Sequence, residues 1–344
     1  MSETQQERAG AFDVAVIGGG PAGLFATFYA GLRGMRAVVI DAAPQLGGQV
    51  AALYPEKWIY DVGGFARVRG QELVRQMVEQ AKRFDPEIRL ETRVTTVEGG
   101  PEKGERAGNG SPLFRLRLSS GESLQARGVI VAAGVGGFQP RRLPAPGLGR
   151  WEGRGLTYFV RSLEDMRGKR VVVVGGGDTA VDWALMLVDV ASEVTLVHRR
   201  NEFRALEESV ENLRRSPVQL KLSAEVVAAA GEDHLERVSI RFASGETEDM
   251  PTDVLLGCLG FQADLGPIAE WGLDMEKNTI RTDHMGRTSR PGIYAVGDIA
   301  TYEGKLKLIA TGFSEAAMAV AHLKTVLEPK ASLQPAHSSS LKLA

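Results

Sequence analysis

The chain has 344 residues, 43% of them hydrophobic and 24% charged. That balance excludes a disordered or fibrous protein, and the length exceeds what one hydrophobic core serves, so two domains of ordinary size are expected. Its 41 basic and 43 acidic residues leave a net charge of -2, which gives no bulk attraction for nucleic acid or an anionic membrane.

Met1 to Gly10 is polar and of mixed charge, without the basic and apolar segments of a signal peptide, so secretion is not expected and a cytoplasmic protein is. From Val14 to Leu32 no side chain is ionised, a composition that a membrane span shares. Gly18-Gly19-Gly20-Pro21 in its middle would break one helix, and suits instead a strand, a tight turn and a helix. The expected order is a strand over Phe12 to Ile17, the turn Gly18 to Gly23, a helix ending near Arg33-Gly34, and a second strand from Arg36 to Ile40 that closes on Asp41. This is the βαβ setting that a Gly-x-Gly-x-x-Gly pattern needs. Gly18 permits the turn, Gly20 lets a pyrophosphate approach the backbone, and Gly23 lets helix and strand pack closely. Pro21 suits the first helical position, and the helix dipole faces the phosphates.

A helix from Gln71 to Phe84 follows. Two alternating strands at Arg93 to Val97 and Leu113 to Leu118 flank an exposed hairpin loop, Gly99 to Pro112, and Gly128 to Ala133 reads as another apolar strand. The βαβ plan then recurs: strand Arg170 to Val174, turn Gly175-Gly176-Gly177-Asp178-Thr179-Ala180, a helix to about Val190, and strand Glu193 to Val197 ending on His198-Arg199-Arg200. The sole cysteine, Cys258, reads as a buried strand end. Ile293 to Asp298 is again strand and turn, followed by a helix over Gly312 to Leu327.

Twenty-three residues on from the first glycine stand Asp41 in one unit and His198 in the other. A carboxylate there accepts from a free ribose diol, and arginines there match a 2'-phosphate. The first unit therefore prefers an unphosphorylated adenosine and the second prefers NADP. The competing readings are a turn cap for Asp41 and a solvated face for the arginines. The fold class is α/β, with two Rossmann-like three-layer dinucleotide-binding domains. Residues 1–138 and 265–344 form one, and 139–264 form the second, inserted in it.

The chain resembles the ferredoxin–NADP reductases of the thioredoxin-reductase-like type. The resemblance rests on Gly18 to Gly23, Pro44-Gln45-Leu46-Gly47-Gly48-Gln49, Leu53-Tyr54-Pro55-Glu56-Lys57, Gly175 to Trp183, His198-Arg199-Arg200, Tyr294 to Asp298, Tyr302-Glu303-Gly304-Lys305 and His337 to Leu341. It implies FAD in the first domain and NADPH in the inserted one. FAD would meet Asp41 at the adenosine ribose, Gln49, Tyr54, Val94 and Phe138 around the cofactor, Asp298 at the ribityl chain, and Ser339. Tyr54 and His337 would lie over the two flavin faces, in a homodimer. On the residues alone, Tyr54 and Phe138 could be ordinary core aromatics, Asp298 a helix cap, and Ala331 to Ala344 a disordered tail.

Thioredoxin reductases share this plan but need two cysteines before the second glycine turn. Leu156 to Met166 has none, which excludes a dithiol mechanism within one chain. What the resemblance leaves is hydride transfer from NADPH to the flavin and single-electron delivery to a ferredoxin or flavodoxin, with no protein acid or base and no metal required. An acidic carrier calls for a basic docking face, for which Lys57, Arg67, Arg69, Lys305 and Lys307 are candidates. An NADPH oxidase or quinone reductase is the alternative enzyme, and a redox-silent FAD-binding module the alternative from another class.

Overall fold

The computed structural model describes residues 10–101, 113–160 and 162–334. The chain divides into two compact units, Met1–Gly137 with Ala263–Ala344, and Phe138–Gln262.

In chain order the first unit opens with β1 (Val14–Ile17), α1 (Pro21–Leu32), β2 (Ala37–Ile40), α2 (Gly48–Leu53), the short strands β3 (Trp58–Ile59) and β4 (Val68–Arg69), and α3 (Gly70–Lys82). It continues through β5 (Glu87–Arg89), β6 (Val94–Gly99), β7 (Phe114–Leu118), β8 (Ser123–Ala126) and β9 (Val129–Val131). β10 (Gly137–Pro140) leads into β11 (Leu156–Thr157), β12 (Arg170–Gly175), α4 (Asp178–Leu187), β13 (Glu193–His198), α5 (Glu207–Arg215) and β14 (Gln219–Leu222). Then come β15 (Ala224–Ala230), β16 (Arg237–Phe242), β17 (Thr247–Pro251) and β18 (Val254–Cys258). The return runs through β19 (Phe261–Asp264), β20 (Met275–Glu276), β21 (Thr279–Arg281), β22 (Ile293–Ala295), β23 (Ala300–Thr301) and α6 (Ile309–Leu327).

The first unit centres on a parallel sheet in the order β22-β9-β1-β2-β5. β1 and β2 are apolar and buried along their whole length, as strands covered on both faces must be. On one side Ala26 and Ala30 of α1 and Ala316, Ala319, Val320 and Leu323 of α6 pack against Val14, Val16 and Val39. On the other, the antiparallel sheet β6-β7-β8 supplies Val94, Phe114 and Leu116 against Ala15, Val38 and Val129. The three layers follow from that division. α3 joins a separate apolar cluster through Leu73, Met77 and Ala81, one turn apart on one face.

The second unit repeats the frame, with a parallel sheet β11-β18-β12-β13-β14 and an antiparallel sheet β15-β16-β17. Trp183, Ala184 and Leu187 of α4 cover one face, and Val226, Val238 and Ile240 cover the other.

Several expectations shift: β1 begins at Val14 instead of Phe12, α3 runs over Gly70–Lys82 instead of Gln71 to Phe84, and α4 ends at Leu187 instead of near Val190. The last helix begins at Ile309 rather than Gly312, because Gly312 is needed inside it: a Cβ there would come 3.2 Å from Ala22 Cβ and 3.5 Å from Gly297 Cα. Cys258 ends β18 as expected but is half-buried, not buried. Among the described residues no helix is long and apolar enough to cross a membrane, and the stretch from Val14 is β1, turn and α1.

Candidate functional site

Each unit carries its glycine turn at the carboxyl end of the central strand of its parallel sheet, β1 in the first and β12 in the second. In the first unit Gly18 has φ +106°, and a Cβ there would lie 2.5 Å from the Ala132 carbonyl oxygen just past β9. A Cβ on Gly23, in the first turn of α1, would lie 1.9 Å from the Gly18 oxygen. Both positions exclude any side chain by contact with the protein itself. Gly20 is different. It caps α1 with extended backbone, and the nearest atom to a Cβ built on it is Gly48 Cα at 3.7 Å. No atom of the protein crowds that position beyond ordinary contact, which suits the close approach of a pyrophosphate. No side chain caps α1, so its first-turn N–H groups and dipole address that position.

Asp41 stands beside the turn, accepting from the Gly19 N–H at 2.5 Å and from the Ala43 N–H at 2.8 Å. Burial raises its pKa, and the Ala43 and Gly19 hydrogen bonds oppose that rise. A carboxylate offers about four lone-pair sites, so Asp41 caps its own turn and still has room to accept from a ribose diol. The two readings of Asp41 are compatible.

The loop before α2 closes on the same turn. Gly47, at φ +112°, donates its N–H to the Gly19 carbonyl at 2.8 Å. Gln49 lies next to Gly134, where a Cβ would meet its Nε2 at 3.0 Å. Tyr54 ends α2 half-buried, its hydroxyl pKa pushed up to about 12 by burial and then by the charges of Asp298 and Asp61. Asp298 sits in a 3₁₀ turn, Gly297–Ile299, after β22, and Gly297 packs so tightly on α1 that a Cβ would lie 3.0 Å from Ala22 Cβ. Gly18, Gly20, Gly23, Asp41, Gln49, Tyr54 and Asp298 thus gather at the carboxyl ends of β1, β2, β9 and β22, where the strand order reverses. Open parallel sheets take ligands at this switch point.

The remaining candidates behave differently. Val94 is 3% exposed and its side chain belongs to the core under the sheet, so a contact from this position must come from the backbone. Phe138 falls in β10, and His337 and Ser339 lie outside the described residues. Lys305 leaves the set of docking cations. Its side chain is 5% exposed and ion-paired with Glu315, itself 2% exposed. Arg67 and Arg69 place their guanidinium groups 4.5 and 4.7 Å from the ring centre of Trp58, which is 41% exposed, and Lys307 is exposed.

In the second unit a Cβ on Gly175 would lie 2.5 Å from the Cys258 carbonyl oxygen and 2.8 Å from Ala180 Cβ. A Cβ on Gly176 would overlap the His198 ring. Gly177, which caps α4, has nothing within 4 Å of a Cβ, so here too the backbone in front of the helix is open. Asp178 accepts from the Leu206 N–H at 3.0 Å, Thr179 is exposed and Ala180 is buried. His198 stacks on Phe203 at 5.4 Å, and one ring nitrogen is 3.1 Å from the Glu202 carbonyl. Burial lowers its pKa first. The Glu202 hydrogen bond opposes that, and the charges of Arg199, Arg200 and Arg204 lower it further.

Arg204 was not among the sequence candidates. Its backbone N–H donates to the Gly176 carbonyl at 2.7 Å, which ties an exposed arginine to the glycine turn beside exposed Arg199 and Arg200. The available signal was a further basic residue a few positions past the strand end. Among the described residues no cluster of His, Cys, Asp or Glu could hold a metal.

These arrangements agree with known proteins. The pyridine nucleotide-disulphide oxidoreductase family matches residues 12–322. A ferredoxin–NADP reductase of Geobacillus kaustophilus is 48% identical over 98% of this chain and 99% of the relative. Ferredoxin–NADP reductase 2 of Oceanobacillus iheyensis is 44% identical over 96% and 98%. Among solved structures, the thioredoxin reductase of Lactococcus lactis in its FR conformation superimposes with a TM-score of 0.73 at 25% identity, covering 92% of this chain and 99% of that one.

Proposed function

The chain belongs to the pyridine nucleotide-disulphide oxidoreductase family, and on that premise we propose that it is an FAD-dependent ferredoxin–NADP(+) reductase, moving electrons between NADPH and a ferredoxin or flavodoxin. The observation that carries the reading is the contrast at the two open glycine turns, a carboxylate beside one and three arginines around the other. The chemistry an FAD supplies when bound is acceptance of a hydride from NADPH and release of its two electrons singly.

The chain's own work is binding, orientation and docking. In the first unit the open backbone at Gly20 and the N-terminus of α1 would take the pyrophosphate, Asp41 the adenosine ribose and Asp298 the ribityl chain. Gln49, Tyr54 and the Val94 backbone would surround the cofactor, and the resemblance adds Phe138, the first residue of the second unit. With its hydroxyl pKa near 12, Tyr54 presents a neutral ring and holds its proton at physiological pH. His337 and Ser339 would complete the site from the tail, in a homodimer. In the second unit Gly175, Gly177, Thr179 and Ala180 at the N-terminus of α4 would receive the NADP pyrophosphate. Arg199, Arg200 and Arg204 would grip the 2'-phosphate, with His198 neutral beside them.

A single cysteine cannot cycle between dithiol and disulfide, so the electrons leave to an external carrier. Trp58, with the Arg67 and Arg69 guanidinium groups near its ring and Arg69 also ion-paired with Glu56, would suit, with Lys57 and Lys307, an acidic carrier with an apolar contact patch. Such charges act chiefly on encounter and orientation. The test is anaerobic reduction of the flavin by NADPH, followed by mixing with ferredoxin or with air. Fast reoxidation by ferredoxin, weakened by added salt, is the expected result. Fast reoxidation by air with no gain from ferredoxin would indicate the oxidase or quinone reductase instead.

A further inference from the structure

Glu315 is the only Asp, Glu, Lys, Arg or His in the buried set of the described residues; Thr27, Thr195 and Thr252 are the other buried polar side chains, beside the tyrosine Tyr294. Glu315 lies in α6, in the stripe of Gly312, Ala316, Ala319, Val320 and Leu323 that faces the sheet, where an apolar side chain would pack without desolvating a charge. Its hydrogen bonds show what it does there. One oxygen accepts from the Gly297 N–H at 2.7 Å. The other accepts from the Tyr302 hydroxyl at 2.7 Å and from the Lys305 ammonium. Every partner lies on the segment that follows β22, and Gly297 is the residue before Asp298.

We propose that Glu315 is a positioning residue that clamps the Gly297–Asp298 turn to α6 and so sets where Asp298 meets the cofactor. The proposal rests on the FAD reading of the first unit. On its other side the turn is already fixed, since the Val296 N–H donates to the Val131 carbonyl at 3.0 Å. Gly297, at φ +75° and pressed against Ala22, has no side chain with which to hold itself. Without the carboxylate, the turn would lose its hydrogen bond to α6 and keep the sheet-side bond of Val296, and the Lys305 charge would be buried without its partner. Lys305 and Tyr302 therefore serve to neutralise and aim Glu315.

The test measures FAD affinity of the holoenzyme on dilution, from the rise in flavin fluorescence, together with the thermal midpoint. Glu315→Gln and Asp298→Asn are each expected to weaken FAD by about tenfold. Because one acts through the other, the double variant should lose far less than the hundredfold product. A second pair removes the buried charge altogether. Glu315→Gln with Lys305→Met keeps an oxygen for the Gly297 N–H and should bind FAD within about threefold of the parent. Glu315→Met with Lys305→Met has no acceptor and should stay about tenfold weaker at an equal thermal midpoint. Losses that multiply in the first pair, or parental FAD affinity in the Met/Met variant, would overturn the clamp. A parent protein that binds no FAD would instead overturn the function on which it rests.

Discussion

In the first unit the residue six places after Asp41 is Gly47, and its N–H donates to the Gly19 carbonyl at 2.8 Å. In the second the residue six places after His198 is Arg204, and its N–H donates to the Gly176 carbonyl at 2.7 Å. One hydrogen-bonded frame is thus used twice, with different side chains at the same two places. Where the frame carries Asp41 and Gly47, a loop backbone closes on the turn and a carboxylate faces it. Where it carries His198 and Arg204, a stacked neutral ring fills the turn and a guanidinium is brought to its edge. On the proposed function, the backbone would supply the phosphate site in both units, and these two positions would decide which adenosine end each accepts.

The comparison predicts first that the glycines of one turn are not equivalent. Gly23→Ala should cost the first unit about 3 kcal/mol or more, because its Cβ would have to displace backbone. Gly20→Ala should melt with the parent yet retain little flavin. Thermal unfolding beside flavin content checks this, and equal melting losses for the two would break the distinction between packing and ligand glycines. Next, Asp41→Ala removes a ribose acceptor and two turn hydrogen bonds, and should weaken FAD about three-hundredfold while sparing the NADPH site. Fluorescence titration of each ligand separates the two.

In the second unit, Arg199→Ala with Arg200→Ala should raise KM for NADPH about fiftyfold and leave NADH unchanged, and Arg204→Ala alone should raise it about fivefold with the same selectivity. Steady-state kinetics with both nucleotides decides. If Arg204→Ala alters neither, the correspondence with Gly47 is only geometric. The smallest effect concerns His198. Its folded pKa lies below the ordinary value, so the unfolded chain binds more protons between the two. Stability falls as pH drops through about 6.5 toward the folded pKa and is recovered above that window. Lowering the pH from about 7.5 to about 5.5 should therefore reduce the melting temperature of the parent more than that of His198→Asn.

The parts of this account legible in the sequence were those coded by local spacing. Gly18, Gly20 and Gly23 with Asp41, and Gly175 and Gly177 with His198, sit at fixed intervals that a strand, turn and helix impose. β1 and β2 are continuous apolar runs, as is β12 from Val171 to Val174, whereas β13 carries Thr195 in its middle. Features that depend on distant chain segments were not legible. Lys305 reads as a surface cation until Glu315, ten residues on, turns inward from α6. That the Val94 side chain belongs to the core shows only when β6 is laid over the sheet. Arg204 lies beyond the strand end where the fingerprint stops, and only the hydrogen bond to Gly176 brings it back. The short strands β20, β21 and β23 have no period of their own and exist through pairing.

The central claim, that the two turns hold different dinucleotides, is tested most directly by anaerobic bleaching of the flavin with NADPH and with NADH, in the parent and in a variant with Arg199, Arg200 and Arg204 all changed to Ala. The parent should bleach faster with NADPH, and the variant should lose that preference through a slower NADPH reaction alone. Equal slowing with both nucleotides, or a parent that NADPH does not bleach, would contradict it.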